Sequence, residues 1–235
     1  MPKKKKEISS SNLIKVKPIT EGQKTVFETW KQGKNQFLFG CAGTGKTFVS
    51  LYLALQDVMN LQTKYDKVIL VRSLIPTREI GFLPGDEEDK AALYQVPYQN
   101  MVKFMFEQPN EQSFNMLYDK LKNQGSLYFL STSFLRGLTF DNSIIIVDEC
   151  QNLNFHELDT ITTRVGQDSK IIYCGDFSQT DLLKQNERNG LHDFLRILEE
   201  MQEFNCVEFN IGDIVRSGFV RNYLIQKTKL GMGME

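Results

Sequence analysis

Gly40-Cys41-Ala42-Gly43-Thr44-Gly45-Lys46-Thr47 is the stretch on which the reading of this chain turns. It fits the pattern GxxxxGK[ST] and lies between a short apolar run, Phe37-Leu38-Phe39, and a segment from Lys46 to Met59 with apolar residues at Val49, Leu53 and Val58. The run reads as a buried strand and the segment as a helix. A strand, a glycine-rich loop and a helix N-terminus in that order are what phosphate binding requires. Glycines let backbone N–H groups turn inward, and the helix dipole favours negative charge. Residues 40–47 are therefore expected to hold ATP, with Lys46 on the β/γ-phosphates and the Thr47 hydroxyl on Mg²⁺.

Outward from this loop the chain alternates strands and helices. A helix is expected over Glu21–Trp30 and a second apolar strand over Lys67–Val71, followed by a long loop at 73–90. Helices at about 91–107 and 111–123 precede strands at Leu127–Leu130 and Ile144–Val147. A helix near 154–165, a strand at Lys170–Cys174, a helix at 190–203, a strand at Cys206–Phe209 and a helix from about 217 complete the order. Strands that are apolar throughout and separated by helices predict a mostly parallel sheet covered on both faces. That is a three-layer α/β P-loop NTPase of RecA-like type, with its ligands at the carboxyl ends of the strands.

The totals bound the rest. A chain of 235 residues is long enough for one α/β domain with a good core, and 41% hydrophobic with 24% charged residues is ordinary globular composition. No apolar run is long enough to span a bilayer and no signal-peptide pattern opens the chain, so a cytoplasmic protein without membrane contact is expected. Cys41, Cys150, Cys174 and Cys206 lack metal or disulfide spacing and read as buried reduced thiols. Net charge is −1, so any nucleic-acid binding must be local. The Lys3–Lys6 run, with Lys15 and Lys17, reads as a flexible basic tail over residues 1–18, leaving 19–235 as a single domain.

Two further motifs follow apolar strands. Ile144-Ile145-Ile146-Val147 delivers Asp148 and Glu149 at its carboxyl end. Asp148 is the expected second protein group for Mg²⁺ and Glu149 the base that positions and deprotonates water, a role that separates a hydrolase from a kinase. Gly175-Asp176-Phe177-Ser178-Gln179 follows Ile171-Ile172-Tyr173-Cys174, and the Gln179 amide is expected at the γ-phosphate or the water. His156 and His192 have no partners at metal spacing. The run Met101, Phe104, Met105, Phe106 has the spacing of a helix face that is core or subunit interface.

With these motifs the chain resembles P-loop ATPases of the PhoH type, relatives of the superfamily-one helicase core, from about Thr20 onward. The resemblance is carried by Gly81-Phe82-Leu83-Pro84-Gly85-Asp86, Arg136-Gly137-Leu138-Thr139, Asp148-Glu149-Cys150-Gln151-Asn152, Gly175–Gln179 and Asp213-Ile214-Val215-Arg216. It departs at Leu138, where the family has a second arginine, and at Cys150, where it has a small alanine-like residue. The resemblance implies ATP hydrolysis, an adenine contact from Gln23, charge neutralisation by Arg216 and an oligomeric, hexameric ring linked to RNA. An arginine in trans, Arg164 or Arg216, is expected to close the site. Single-stranded RNA or DNA is expected at Arg72, Arg78 and Arg136, in or beside loops next to core strands. Two other classes stay open on the sequence: an ATP-dependent binding switch with little turnover, and a small-metabolite kinase.

Overall fold

The computed structural model describes residues 7–73, 87–132, 135, 137–176 and 185–230. Six strands, β1 (Asn35–Gly40), β2 (Lys67–Arg72), β3 (Leu127–Ser131), β4 (Ser143–Asp148), β5 (Lys170–Gly175) and β6 (Phe204–Phe209), form one sheet. Its order is β3-β2-β4-β5-β1-β6, and every pairing is parallel. The helices are α1 (Glu21–Lys31), α2 (Lys46–Met59), α3 (Glu87–Met105), α4 (Glu111–Asn123), α5 (Phe155–Thr162), α6 (Gln185–Glu200) and α7 (Gly218–Lys229).

The two-residue period of the strands sorts their apolar side chains into two cores. Leu38, Val68, Leu70, Ile144, Ile146, Ile172 and Val207 face α1–α4, packing on Val26, Trp30, Val49, Leu53, Val102 and Leu121. The alternate residues Phe37, Ile69, Val71, Ile145, Val147, Ile171 and Tyr173 face α5 and α6, packing on Leu158, Ile161, Leu191, Phe194 and Leu198. Burial on both faces explains why the central strands β2, β4 and β5 read as apolar runs. The expected three-layer α/β architecture is the one observed.

Sheet order then decides what meets at the carboxyl ends. β5 lies between β1 and β4, so the segment after Gly175 emerges between the phosphate loop and Asp148. In register, Gly40 pairs with Phe209 and Arg72 with Asp148. Thr20 caps α1 by accepting from the Gln23 N–H at 3.3 Å, and Asn154 forms a capping box with Glu157 at the start of α5.

Two expectations change. The basic tail does not run to residue 18, because Ile8 and Leu13 are buried in the first core with Val16 packed against it. Cys150 and Cys174 are buried, but Cys41 and Cys206 are only half-buried. The Met/Phe run divides: Met105 and Phe106 are core, while Phe104 is exposed and meets the Phe48 ring edge-on. His156 and His192 are exposed, as expected. No helix among the described residues is long and apolar enough to cross a membrane.

Candidate functional site

The phosphate loop starts where β1 ends. Gly40 has φ +112°, and a Cβ there would lie 2.2 Å from the Phe209 carbonyl oxygen, so the close pass of the β1 and β6 ends admits only glycine. The loop closes at Gly45, which caps α2 in the left-handed region, and Lys46 and Thr47 form the first turn of α2. Lys46 Nζ folds back on its own loop, donating to the carbonyls of Gly40 at 2.8 Å and Cys41 at 2.7 Å. Burial lowers its pKa, with the nearby Asp176 opposing the shift. Nζ also reaches Thr44 Oγ1 at 3.4 Å, and an ammonium held by neutral oxygens has exchangeable partners of the kind phosphate oxygens replace. Thr44, fully buried, donates from Oγ1 to the Cys41 carbonyl at 3.0 Å and braces the turn.

Asp148 stands across from this loop. Thr47 Oγ1 donates to its Oδ1 at 2.7 Å, and the Tyr98 hydroxyl donates to its Oδ2 at 2.7 Å. A hydroxyl and a carboxylate oxygen in direct contact are hard oxygen donors of the type Mg²⁺ takes, and the pair fits that ion. Among the described residues no group of three His, Cys, Asp or Glu could hold a metal, so Thr47 and Asp148 would be its protein side. Tyr98, on α3, was not visible in the sequence as a site residue, because its position 50 residues before Asp148 carries no motif.

Glu149 adopts φ 53°, ψ 41°, a left-handed conformation that costs a non-glycine residue about 1–3 kcal/mol. The turn aims its carboxylate at Gln151, whose Nε2 donates to Glu149 Oε2 at 2.5 Å, while Gln151 Oε1 accepts from the Asp176 N–H at 3.1 Å. The buried Gln151 thus ties the acidic strand end to the segment after β5. Burial and the adjacent Asp148 raise the Glu149 pKa, with the Gln151 bond pulling the other way, a shift in the direction that suits a base near neutral pH.

Arg72 is half-buried at the end of β2. Its guanidinium lies over the Tyr94 ring at 5.5 Å, and although burial opposes its charge, Tyr98, Asp148 and Glu149 outweigh that and raise its pKa. Arg72 thus stands beside the acidic pair at the carboxyl end of β2. Gln23 is buried and its amide is used at both ends: Nε2 donates to the Thr44 carbonyl at 3.0 Å, and Oε1 accepts from the Ile19 N–H at 3.0 Å. Through these two bonds it braces the phosphate loop.

Asp213 accepts from the N–H groups of Gly22 at 2.8 Å and Asn210 at 2.9 Å; burial alone would raise its pKa, but these bonds hold it low. The following segment lies on the phosphate loop: the Val215 N–H donates to the Gly43 carbonyl at 3.0 Å, and a Cβ on Gly43 would come within 2.9 Å of Arg216 Cγ. Arg216 therefore reaches the loop of its own chain and needs no neighbour to do so. Arg164 follows α5, before β5 begins, at the end of the sheet away from the loop. Gln179, Arg78, Arg136 and the Gly81–Asp86 stretch lie outside the described residues. A groove of about 1040 Å³ lined by Phe155, Asp193, Arg196, Ile197 and Met201 runs along α5 and α6 and shares no residue with this constellation.

Comparison with known proteins agrees with the geometry. The PhoH-like protein family model matches residues 15–226. The chain is 33% identical over 186 residues to a PhoH-like protein of Synechocystis, covering 79% of this chain and 54% of that one. It is 33% identical over 190 residues to protein PhoH of Escherichia coli, covering 80% of this chain and 51% of that protein. It thus spans about half the length of these curated relatives. In fold it is similar to the large terminase of a thermophilic bacteriophage, with TM-score 0.50, 12% identity, 90% of this chain and 50% of that chain covered. The chain belongs to the PhoH family and has a P-loop NTPase fold.

Proposed function

We propose that this PhoH-family chain hydrolyses ATP to ADP and phosphate with Mg²⁺, and that single-stranded nucleic acid, RNA in preference to DNA, couples to the turnover. The observation that carries the hydrolysis is the contact of Thr47 Oγ1 with Asp148 Oδ1 at 2.7 Å, with Lys46 on one side and Glu149 on the other. In this reading Gly40–Thr47 cradle the phosphates and Lys46 exchanges the Gly40 and Cys41 carbonyls for phosphate oxygens. Thr47 and Asp148 would hold Mg²⁺, which would supply neutralisation of phosphate charge. Glu149, held by Gln151, takes a proton from the attacking water at its carboxylate. Arg216 neutralises charge from the side of Gly43, and Gln179 is assigned the contact with the γ-phosphate or the water.

An oligomeric ring, with a neighbour's Arg164 as the remaining candidate for an arginine in trans, and a cytoplasmic setting belong to the same reading. The test is phosphate release from Mg·ATP by the full chain, with and without single-stranded RNA or DNA, alongside light scattering. Release that depends on Mg²⁺ and rises with a single strand is the expected result. Tight ATP binding without release would move the chain to the switch class, and a fully active monomer of 27.1 kDa would remove the ring.

A further inference from the structure

Helix α7 is an amphipathic element that faces outward. At 100° per residue, Phe219, Tyr223, Gln226 and, one turn on, Leu230 lie along one stripe, with Lys227 and Lys229 flanking it on either side. The aromatic members stand in solvent: Phe219 is 83% exposed and Tyr223 58%. The opposite side of the helix carries Leu224, whose Cδ1 would lie 3.2 Å from a Cβ on Gly43. The helix is therefore seated on the phosphate loop and presents its rings away from it.

The charge of this segment is one-sided. Between Asp213 and Glu235 there is no acid, while Arg216, Arg221, Lys227 and Lys229 are all cationic, in a chain whose net charge is −1. Among the described residues none of these four forms an ion pair with a carboxylate. An apolar interface between protein chains excludes charge from its centre. Exposed rings interleaved with unpaired cations fit a polyanion that also has flat faces to stack, namely a single-stranded nucleic acid.

We propose that the outer face of α7 binds single-stranded nucleic acid, with Phe219 and Tyr223 stacking on bases and Lys227 and Lys229 meeting phosphates. The proposal rests on the nucleic-acid part of the function given above and names its surface, which is different from the loops around Arg78 and Arg136. Because Val215, Arg216 and Leu224 all bear on Gly43, a strand held on α7 is mechanically joined to the loop that holds the nucleotide. Linkage then makes the effect reciprocal, so bound nucleotide and bound strand change each other's affinity by one common factor.

The experiment is a fluorescence-anisotropy titration of labelled oligouridylate and oligothymidylate onto the full chain across a salt series. It compares the native protein with Phe219→Ala/Tyr223→Ala and with Lys227→Gln/Lys229→Gln, and follows molar mass by light scattering. The aromatic pair is expected to weaken binding at least about tenfold, since each stacked base contributes about 1–3 kcal/mol. The lysine pair is expected to reduce the magnitude of the salt slope by about 1.4, two phosphates at about 0.7 each. ATP turnover without a strand is expected to stay at the native level in both. If the native protein binds a strand and both variants bind it equally well, this surface is wrong while the coupled function stands. If the native protein binds neither strand, the nucleic-acid part of that function falls as well. A change of molar mass in either variant overturns the proposal in favour of a contact between copies of the chain.

Discussion

Two lysines are buried at opposite ends of neighbouring strands. Lys46 follows the carboxyl end of β1 and is 8% exposed, while Lys170 opens β5 and is 2% exposed. Burial lowers the pKa of both. Their partners differ. Lys46 donates to two carbonyls of a glycine-rich loop, with Asp176 and Glu149 near enough to support its charge. Lys170 donates to the Trp30 carbonyl at 3.3 Å, and its ammonium sits 4.1 Å from the Trp30 ring centre and 5.8 Å from that of Tyr65. One cation is turned toward a cradle where phosphate oxygens can take the place of its carbonyls. The other is enclosed by rings and committed to joining α1 to the sheet. The same residue type at similar burial serves ligand binding in one place and architecture in the other, and the identity of the acceptors separates the two.

The largest effect that would break this contrast is at Lys46. Lys46→Ala is expected to abolish binding of a fluorescent ATP analogue and lower turnover by about 10³-fold or more, with the fold kept by circular dichroism. Retained binding would show that the ammonium belongs to structure, like Lys170. Next comes the group facing it: Glu149→Gln should bind the analogue within a few-fold of native and lose about 10²-fold in phosphate release. Near-normal release from that variant would remove Glu149 as the base.

Lys170 sharpens the contrast through pH. Its pKa is lowered to about 8 in the folded chain from an ordinary value of 10.5, so the unfolded chain holds the proton more tightly. Stability is reduced while the lysine is charged in both states and recovers as pH rises from about 8 toward 10.5. Relative to Lys170→Met, the native protein should gain about 2 kcal/mol in urea unfolding between about pH 7 and 9.5. Parallel pH profiles for the two proteins would contradict the enclosure. The smallest expected effect is at Gln23, where Gln23→Ala removes one bond to Thr44 and one to Ile19. A rise of a few-fold in KM with kcat held is expected, corresponding to about 1 kcal/mol. A loss in kcat of about tenfold or more would assign Gln23 a part in the chemistry instead.

The strands and helices were legible because each depends on a short-range pattern. The Lys46–Met59 helix is found with the same bounds, and the apolar runs of the central strands β2, β4 and β5 are legible because two-sided burial demands an unbroken apolar run. The phosphate loop and the Asp148–Glu149 pair were legible for a related reason, since the backbone geometry of each is written into adjacent residues. Less legible were residues whose importance lies in what they touch. Tyr98 reads as one more aromatic on α3 until the fold brings its hydroxyl to Asp148. Gln151 was part of a quoted motif without a role until β5 brought the Asp176 N–H to its amide. The intrachain contacts of Arg72 with Tyr94 and of Gln23 with Thr44 likewise appear only once the fold brings those residues together.

By itself, then, the sequence determined the class of fold, the order of its elements, the loop that cradles phosphate and the two carboxylates at the end of β4, because local periodicity and the demands of a tight turn act over a few residues. Only the tertiary structure decided that β5 separates β1 from β4, that Arg216 and Leu224 bear on Gly43 of their own chain, and that Lys170 is closed in by Trp30 and Tyr65. Those contacts join residues far apart along the chain. They exist only once the parallel crossovers have set the order of the strands, and no short stretch of sequence carries that order.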